Sequence, residues 1–447
     1  MKRRNFIKIS GAAALTAACA PKVGGKKSAS NADTPEQMVY RENPYNGDKV
    51  SLLGFGCMRW PMIEVDGKRV INQEAVNEMV DYAIAHGVNY FDTSPAYLMG
   101  QSEKAAGEAL SRHPRSSYFI ATKLSNFGDQ SPEASIKMYH DSFTALKTDY
   151  FDYYLLHAIG RGGRRGFEQR YVQNGLMPFL QQEKEAGRIR NLGFSFHGAQ
   201  HEFDSFMEMH DSGEYHWDFC QIEMNYMDWT HADGVQNVNA DYLYAELHKR
   251  NIPIVIMEPL LGGRLANVPE GIARQMKTRE PDLSIASWAF RFCGSFPGVL
   301  CALSGMTNMD PLLDNLKTFT HFQPLTDEEL EFLEQMATQM KEYPLINCTD
   351  CKYCMPCPWG IDIPGTFQHY NRSVTEGSYA QSSSQKNYRK LKKAYLLSYD
   401  KAVESVRQAD HCIACGECLS HCPQSIAIPD QLRRIAHYVD ALKQDTL

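Results

Sequence analysis

Three features are scarce in this 447-residue chain, and each scarcity excludes a class of protein. There is no long run of Lys or Arg and the formal net charge is −7, so we expect no nucleic-acid partner, because phosphate binding needs clustered cations. The N-terminal apolar run, Gly11 to Ala18, is too short to cross a bilayer. No Gly-rich G-x-G-x-x-G fingerprint opens a predicted helix, which argues against an open dinucleotide-binding sheet.

The composition indicates more than one domain and a metal centre. With 43% hydrophobic and 22% charged residues, the chain can bury a large core and exceeds one ordinary domain. Thirteen cysteines would suggest a disulfide scaffold if they were scattered, but eight fall in two tight C-terminal groups, which indicates metal binding. Four others have no ligand spacing and are predicted to be buried thiols: Cys57, Cys220, Cys293 and Cys301.

The first 20 residues resemble a twin-arginine export signal, with Arg3 to Lys8 preceding the apolar run. The resemblance implies a bacterial protein exported to the periplasm. The residues before Cys19 also resemble a lipobox, although Leu15 lies four residues before the cysteine instead of three. Lipidation of Cys19 would tether the protein to a membrane, and a plain cleavable signal is the alternative. Residues 21–37, rich in Lys, Ser, Gly and Asn, are predicted to be a disordered tether.

From residue 38 to about 340 the chain alternates strand and helix patterns. Eight apolar strands are predicted, at 52–56, 88–92, 118–122, 153–157, 190–194, 219–223, 253–257 and 299–303. Helical periodicity lies between them, for example over 76–84, 178–186, 201–211, 242–250 and 283–292. Eight such units predict an α/β fold of the (β/α)8 TIM-barrel type.

Ionisable residues stand at the carboxyl ends of three of these strands, where active groups of such barrels lie. Asp92 ends the second strand and Tyr97 follows it in the sequence Asn-Tyr-Phe-Asp-Thr-Ser-Pro-Ala-Tyr. Lys123 follows the third strand and His157 ends the fourth. In this order the four residues resemble the catalytic tetrad of the aldo-keto reductases. The alternative is a structural ion pair with a core histidine and a packing tyrosine.

The resemblance implies a division of roles for carbonyl reduction. Hydride transfer leaves charge on the substrate oxygen, so a proton donor must lie within reach of it, and Tyr97 would be that donor. A phenol with a pKa of about 10 needs a nearby cation to ionise, which Lys123 would supply. Asp92 would hold Lys123, and His157 would orient the substrate oxygen.

The resemblance, over roughly 38–320, also implies a nicotinamide cofactor, NAD or NADP. The expected contacts are Ser195, Gln221, Pro259, Leu260, Gly262, Ser304, Gly305 and Asn315. Phe196 and Met257 depart from the family, which usually has Asn and a stacking aromatic there. NAD is favoured over NADP, because the segment from Ser304 to Asn315 has no Lys or Arg and carries two Asp residues.

The cysteine groups lie in residues 341–447, which form a second predicted domain. One group, Cys348, Cys351, Cys354 and Cys357, has the spacing CxxCxxCxxCP, and the other, Cys412, Cys415, Cys418 and Cys422, has the spacing CxxCxxCxxxCP. Consecutive two-residue gaps favour 4Fe-4S clusters, because the alternative, zinc ribbons, separates two CxxC pairs by a loop. The module resembles an α-helical ferredoxin with helical patterns at 388–408 and 430–443. That resemblance implies two clusters that exchange their last ligands, Cys357 and Cys422.

Taken together, these features predict an exported, iron–sulfur-linked aldo-keto oxidoreductase. It would move a hydride between a bound nicotinamide and a carbonyl or alcohol, such as a sugar or polyol, and pass electrons to or from an unidentified redox partner. The alternative is an electron-transfer protein that uses its barrel as a binding scaffold.

Overall fold

The computed structural model describes residues 37–232 and 237–447. The predicted export signal, Cys19 and the predicted tether up to residue 36 lie outside the described residues. No helix in the described part of the chain is long and apolar enough to cross a membrane.

Eight parallel strands close into a barrel in which every strand pairs with its neighbours in the sequence, and the eighth pairs with the first. The prediction of a (β/α)8 barrel is confirmed, and the strands begin close to their predicted starts. The strands are β1 (Leu53–Gly56), β2 (Tyr90–Asp92), β3 (Phe119–Leu124), β4 (Phe151–Ile159), β5 (Ile189–Phe196), β6 (Cys220–Glu223), β7 (Ile254–Met257) and β8 (Val299–Ser304).

Helices surround the barrel and continue into the C-terminal region. Capping residues precede several of them. For example, the Thr326 hydroxyl oxygen accepts a hydrogen bond from the Glu329 amide, a first-turn donor that has no acceptor within the helix. The helices are α1 (Gln73–Ala85), α2 (Gln101–Leu110), α3 (Pro132–Leu146), α4 (Gly163–Phe167), α5 (Leu176–Glu185), α6 (Gln200–Asp211), α7 (Asp228–His231), α8 (Ala240–Lys249), α9 (Glu270–Arg279), α10 (Ile285–Gly294), α11 (Met309–Thr320), α12 (Asp327–Met340), α13 (Ile363–Thr375), α14 (Tyr388–Ala402) and α15 (Ile428–Gln444).

An N-terminal hairpin of strands Tyr40–Glu42 and Lys49–Ser51 closes the amino end of the barrel. Its Val50 is fully buried among the side chains inside the barrel, which include those of Tyr153 and Phe219. The barrel interior is therefore a packed core and leaves the carboxyl end as the working face. The sequence analysis did not predict this hairpin, because its strands are only three residues long.

The C-terminal module has a separate core formed mainly by α13, α14 and α15. Helix α15 extends slightly beyond the predicted 430–443. Helix α14 is shorter than the predicted 388–408, because Val403 adopts extended backbone (φ −133°) and single turns lead from there to Cys412. The helical periodicity continued past the true end, which only the backbone geometry reveals.

The module docks on the carboxyl face of the barrel, against loops that follow its strands. Polar contacts join the two parts. Among them, with donor–acceptor distances of 2.7 to 3.0 Å, are those of Arg59 to the Asp350 carboxylate, Arg161 to the Ser420 carbonyl, Arg264 to the Asn347 amide oxygen, and Gln424 to the Glu223 carboxylate. The cysteine-rich segment therefore lies over the barrel mouth, where the sequence analysis expected the catalytic residues.

Helices α2 and α3 pack so closely that a substitution can test the contact between them. A Cβ added at Gly107 would lie 2.1 Å from the Ala145 carbonyl oxygen and 2.7 Å from the Leu146 Cα, and both atoms are backbone. We expect Gly107→Ala to lower the free energy of unfolding by about 2 kcal/mol or more, because backbone cannot move aside cheaply.

The matched control for that substitution is Gly271→Ala in α9. There the nearest atom, the Tyr343 hydroxyl oxygen, would lie at an ordinary 3.5 Å, so the better helix propensity of Ala should raise stability by about 0.5–1 kcal/mol. Unfolding followed by circular dichroism measures both, and equal midpoints for wild type and Gly107→Ala would contradict the packing argument.

Candidate active site

A buried ion pair links the ends of β2 and β3 at the barrel mouth. The Lys123 Nζ lies 2.5 Å from the Asp92 carboxylate and also donates to the Thr93 carbonyl at 2.9 Å. Both charged side chains are almost completely removed from solvent. Because β2 and β3 are paired neighbours, their carboxyl ends bring these two residues together.

Burial is the main influence on the protonation of this pair. It raises the pKa of Asp92 and lowers the pKa of Lys123, and the attraction between the two side chains opposes both shifts. The Gln221 amide also donates to the second Asp92 oxygen at 3.3 Å. The pair is thus held by side chains from three strands.

Tyr97 begins a tight turn just after β2 and is partly buried. Leu98 and Met99, with φ of 48° and 56°, adopt left-handed backbone in this turn. The Lys123 ammonium lies 4.9 Å from the centre of the Tyr97 ring. Burial raises the pKa of Tyr97 well above its usual range, and the neighbouring Asp92 raises it further. The phenol is therefore protonated, as a proton donor must be.

His157 faces Tyr97, with the two ring centroids 6.0 Å apart and the planes nearly perpendicular. Its Nδ1 lies 2.6 Å from the Ser125 hydroxyl, so Nε2 is the nitrogen that can meet a substrate. Burial lowers the pKa of His157 well below 6.5, and the cations Lys123 and Arg170 lower it further. The imidazole is neutral under ordinary conditions.

The structure thus brings all four predicted residues, Asp92, Tyr97, Lys123 and His157, to one mouth. The sequence analysis missed the supporting side chains. Ser125 stands two residues after Lys123 at the end of a strand, which is a usable signal. Arg170, which donates to the His157 carbonyl at 2.9 Å, comes from a helical segment after β4 and left no signal in the sequence.

The residues expected to hold a nicotinamide ring fit that group. The Gln221 Oε1 is buried and has no hydrogen-bond partner among the described residues, so it can accept a bond from a carboxamide. The Ser195 hydroxyl oxygen accepts the Ala158 amide at 2.8 Å and keeps its own proton to donate. Gln221 lies on β6 and donates to Asp92. Ser195 is its partner on the adjacent strand β5.

The residues expected at the diphosphate end do not fit that group as they lie. The Gly262 amide, a candidate phosphate donor, already donates to the Glu258 carboxylate at 2.6 Å. Thr349 of the C-terminal module lies against the same loop, since a Cβ on Gly262 would be 2.4 Å from its Cα. A carboxylate beside this amide repels phosphate, and Thr349 covers it.

The other predicted nucleotide contacts surround this region. Pro259 is buried and Leu260 is partly buried in the loop after β7. The Asn315 amide donates to the Ser304 hydroxyl at 2.8 Å. Gly305 is approached by the Arg59 side chain, whose Cγ would lie 2.9 Å from an added Cβ. Arg59 is a cation of this region, and Asp350 and the Thr349 carbonyl already bind it.

The eight C-terminal cysteines gather in two crossed sets. One pocket is lined by Cys348, Cys351, Cys354 and, from the other motif, Cys422, together with apolar side chains. Around Cys418, the neighbours whose charges raise its pKa are Cys412, Cys415 and Cys357. Each set therefore contains three cysteines of one motif and the last cysteine of the other.

Each set brings together four thiols, the number that holds a 4Fe-4S cluster and also the number in a four-cysteine zinc site. Within the described ranges, no three His, Cys, Asp or Glu side chains converge closely enough to bind one metal ion. The four other cysteines among the described residues, Cys57, Cys220, Cys293 and Cys301, are buried and form no disulfide, as predicted.

Two family profiles match the chain, one for each part. A profile described as aldo/keto reductase family matches residues 52–338, and a profile described as 4Fe-4S dicluster domain matches residues 347–427. The first covers the barrel and every residue of the site at its mouth. The second covers all eight clustered cysteines.

Curated relatives resemble part of the chain. An L-galactose dehydrogenase from Arabidopsis thaliana is 36% identical over 33% of this chain and 46% of its own length. A D-arabinose 1-dehydrogenase from Saccharomyces cerevisiae is 35% identical over 21% of this chain and 32% of its own length. The chain thus spans less than half the length of these two relatives.

A solved structure supports the fold alone. The aldo-keto reductase AKR11C1 from Bacillus halodurans, in its holo form, aligns with a TM-score of 0.53 and 20% identity. The alignment covers 67% of this chain and 96% of the other. At this identity, the similarity establishes the shared barrel.

The environment of His157 predicts its titration. Because burial and two nearby cations lower its pKa, the ring should stay neutral between about pH 5.5 and 7.5, where an unperturbed histidine gains its proton as the pH falls. NMR of the imidazole C–H signals, with His157→Gln to assign the resonance, measures this. A midpoint near 6.5 would contradict the buried, cation-flanked arrangement.

Proposed function

The chain belongs to the aldo/keto reductase family, and we propose that it is an oxidoreductase that interconverts a carbonyl and an alcohol and exchanges electrons through iron–sulfur clusters. The observation that carries this proposal is the constellation at the mouth: the rings of Tyr97 and His157 face each other beside the buried Lys123–Asp92 pair. It faces a module with eight cysteines in two sets.

The four residues divide the work of carbonyl reduction. As hydride adds to the carbonyl carbon, negative charge develops on the oxygen, and the Tyr97 hydroxyl donates its proton there. The neutral His157 offers Nε2 to orient the same oxygen. Lys123 stabilises the developing phenolate, and Asp92 keeps the lysine in place and balances its charge. In the oxidation direction, Tyr97 takes the proton of the alcohol instead.

A bound nicotinamide would supply or accept the hydride. Gln221 and Ser195 would hold its carboxamide, and we propose NAD over NADP because Asp310 and Asp314 would repel a 2′-phosphate. We also propose that this cofactor stays bound and does not exchange freely with solution. Such retention also suits an exported enzyme, and we propose export through the N-terminal signal to the periplasm or, with Cys19 lipidated, to a membrane surface.

The cysteine sets would hold two 4Fe-4S clusters, each with one ligand from the other motif. Two one-electron clusters together match the two electrons of a hydride, so they can link the barrel to an external redox partner. The two curated dehydrogenases named for L-galactose and D-arabinose support a sugar as substrate. We therefore propose an aldose or related polyol as the small-molecule substrate.

The function and the role of Tyr97 can be tested together. Anaerobic addition of L-galactose or D-arabinose to the purified holoenzyme should reduce the clusters, followed by their visible absorbance. Tyr97→Phe should slow this reduction by at least about a hundredfold, because the proton acceptor is lost. Tyr90→Phe is the matched control: that buried phenol has no hydrogen-bond partner among the described residues, so its loss should leave the rate unchanged.

Two results would count against the proposal. A Tyr97→Phe enzyme that kept the wild-type rate would remove Tyr97 from catalysis. A wild-type protein whose clusters respond to a redox partner but to no aldose, polyol or added NADH would favour the electron-transfer alternative, in which the barrel only binds.

The crossed ligand sets predict the iron content of paired variants. Cys422→Ser should lose one cluster, lowering iron from about eight to about four atoms per chain. Adding Cys351→Ser should lower it no further, because both residues belong to one set. Adding Cys415→Ser instead should remove the second cluster too. Metal analysis and electron paramagnetic resonance measure this, and the opposite pattern would mean that each motif binds its own cluster.

A further inference from the structure

Tyr353 belongs to the C-terminal module, yet its ring lies at the catalytic mouth of the barrel. It stands between Cys351 and Cys354 in the sequence. Its ring centroid lies 6.5 Å from that of His157 and 6.4 Å from that of Phe127, which comes from the loop after β3. An aromatic side chain from the cysteine-rich segment thus borders the site where the substrate oxygen would be held.

The backbone that carries Tyr353 is held in an uncommon conformation. Asp350 and Lys352, on either side of Cys351, both have left-handed backbone, with φ of 54° and 64°. Non-glycine residues keep this conformation where surrounding contacts fix it. Here Arg59 binds the Asp350 carboxylate at 3.0 Å and also the Thr349 carbonyl. The position of Tyr353 is therefore fixed by the docked segment and is not that of a free surface side chain.

Phe127 completes an aromatic wall beside the catalytic histidine. Its ring centroid lies 4.9 Å from that of His157. The Arg170 guanidinium lies 5.0 Å from the centre of the same ring, while 40% of the side chain remains exposed. Phe127 and Tyr353 together offer an aromatic surface next to a hydrogen-bonding imidazole. Such a surface suits a molecule that combines an apolar C–H face with polar oxygens, because aromatic rings contribute large contact area at little entropic cost.

We propose that Tyr353 is a substrate-contacting residue of the barrel's reaction, contributed by the iron–sulfur module. Its ring packs against the C–H face of a ring-shaped aldose whose reacting oxygen lies between Tyr97 and His157. This assignment rests on the proposed function of that site. It also makes the binding pocket incomplete in the barrel alone, because one wall comes from the segment between two cysteines.

The test compares Tyr353→Leu with Tyr353→Phe in the full-length holoenzyme. Removing the ring should raise the KM for L-galactose or D-arabinose about tenfold while kcat changes by no more than about twofold, because the tetrad is intact. Keeping the ring in Tyr353→Phe should hold KM within about threefold of wild type. Calorimetric binding of the same sugars supplies a readout that does not depend on turnover, and iron content should stay at the wild-type value.

Trp359→Leu is the matched control, since Trp359 is an aromatic residue of the same cysteine-rich segment with 56% of its side chain exposed. It should leave KM, sugar affinity and iron content unchanged. An unchanged KM in Tyr353→Leu, or an equal rise in Tyr353→Leu and Trp359→Leu, would overturn the assignment. Failure of the proposed function is distinguishable, because it would be visible in the wild-type enzyme as the absence of any response to the sugars.

Discussion

The buried pair of Lys123 and Asp92 is the interaction on which the site depends. Removing two charges from water costs several kcal/mol per ion unless each finds its partner at close range, and here the partners lie 2.5 Å apart. The parallel pairing of β2 and β3 brings their carboxyl ends together in this way. The Lys123 ammonium lies over the ring face of Tyr97. Its charge also adds to the effect of burial in lowering the pKa of His157. A change that admitted water to this mouth would weaken every one of these relations.

The C-terminal module supplies much of that protection. Its contacts to Arg59, Arg161, Glu223 and Arg264 all involve residues at or just after the carboxyl ends of barrel strands. A fold that usually exposes this face to substrate and cofactor has it partly covered by a second domain. The cover brings the cysteines and the tetrad into one assembly, which is the arrangement that coupling of hydride chemistry to one-electron carriers requires.

In the region expected to bind the nucleotide, some residues fit what the family resemblance implies and others do not. Gln221 and Ser195 meet the expectation for a nicotinamide ring. Gly262 does not meet the expectation for a diphosphate, because its amide already donates to the Glu258 carboxylate and Thr349 covers it. Neither Glu258 nor Thr349 stands out in the sequence. Glu258 is one more carboxylate after a strand, and Thr349 is nearly ninety residues away from the loop it contacts.

The sequence by itself determined the order of eight strands and the two cysteine motifs, because periodicity and short-range spacing are local properties of the chain, and a family resemblance pointed to the four residues at the strand ends. The sequence analysis missed the closing hairpin around Val50 and predicted α14 to extend past Val403. The tertiary structure alone decided that Ser125 orients His157 and that Tyr353 lies beside His157, whereas the grouping of Cys422 with Cys348 was already expected from the ferredoxin resemblance. The two contacts of His157 are with residues 32 and 196 positions away, and no local pattern encodes such a contact, since it depends on how the strand ends meet and how two separately folded cores dock.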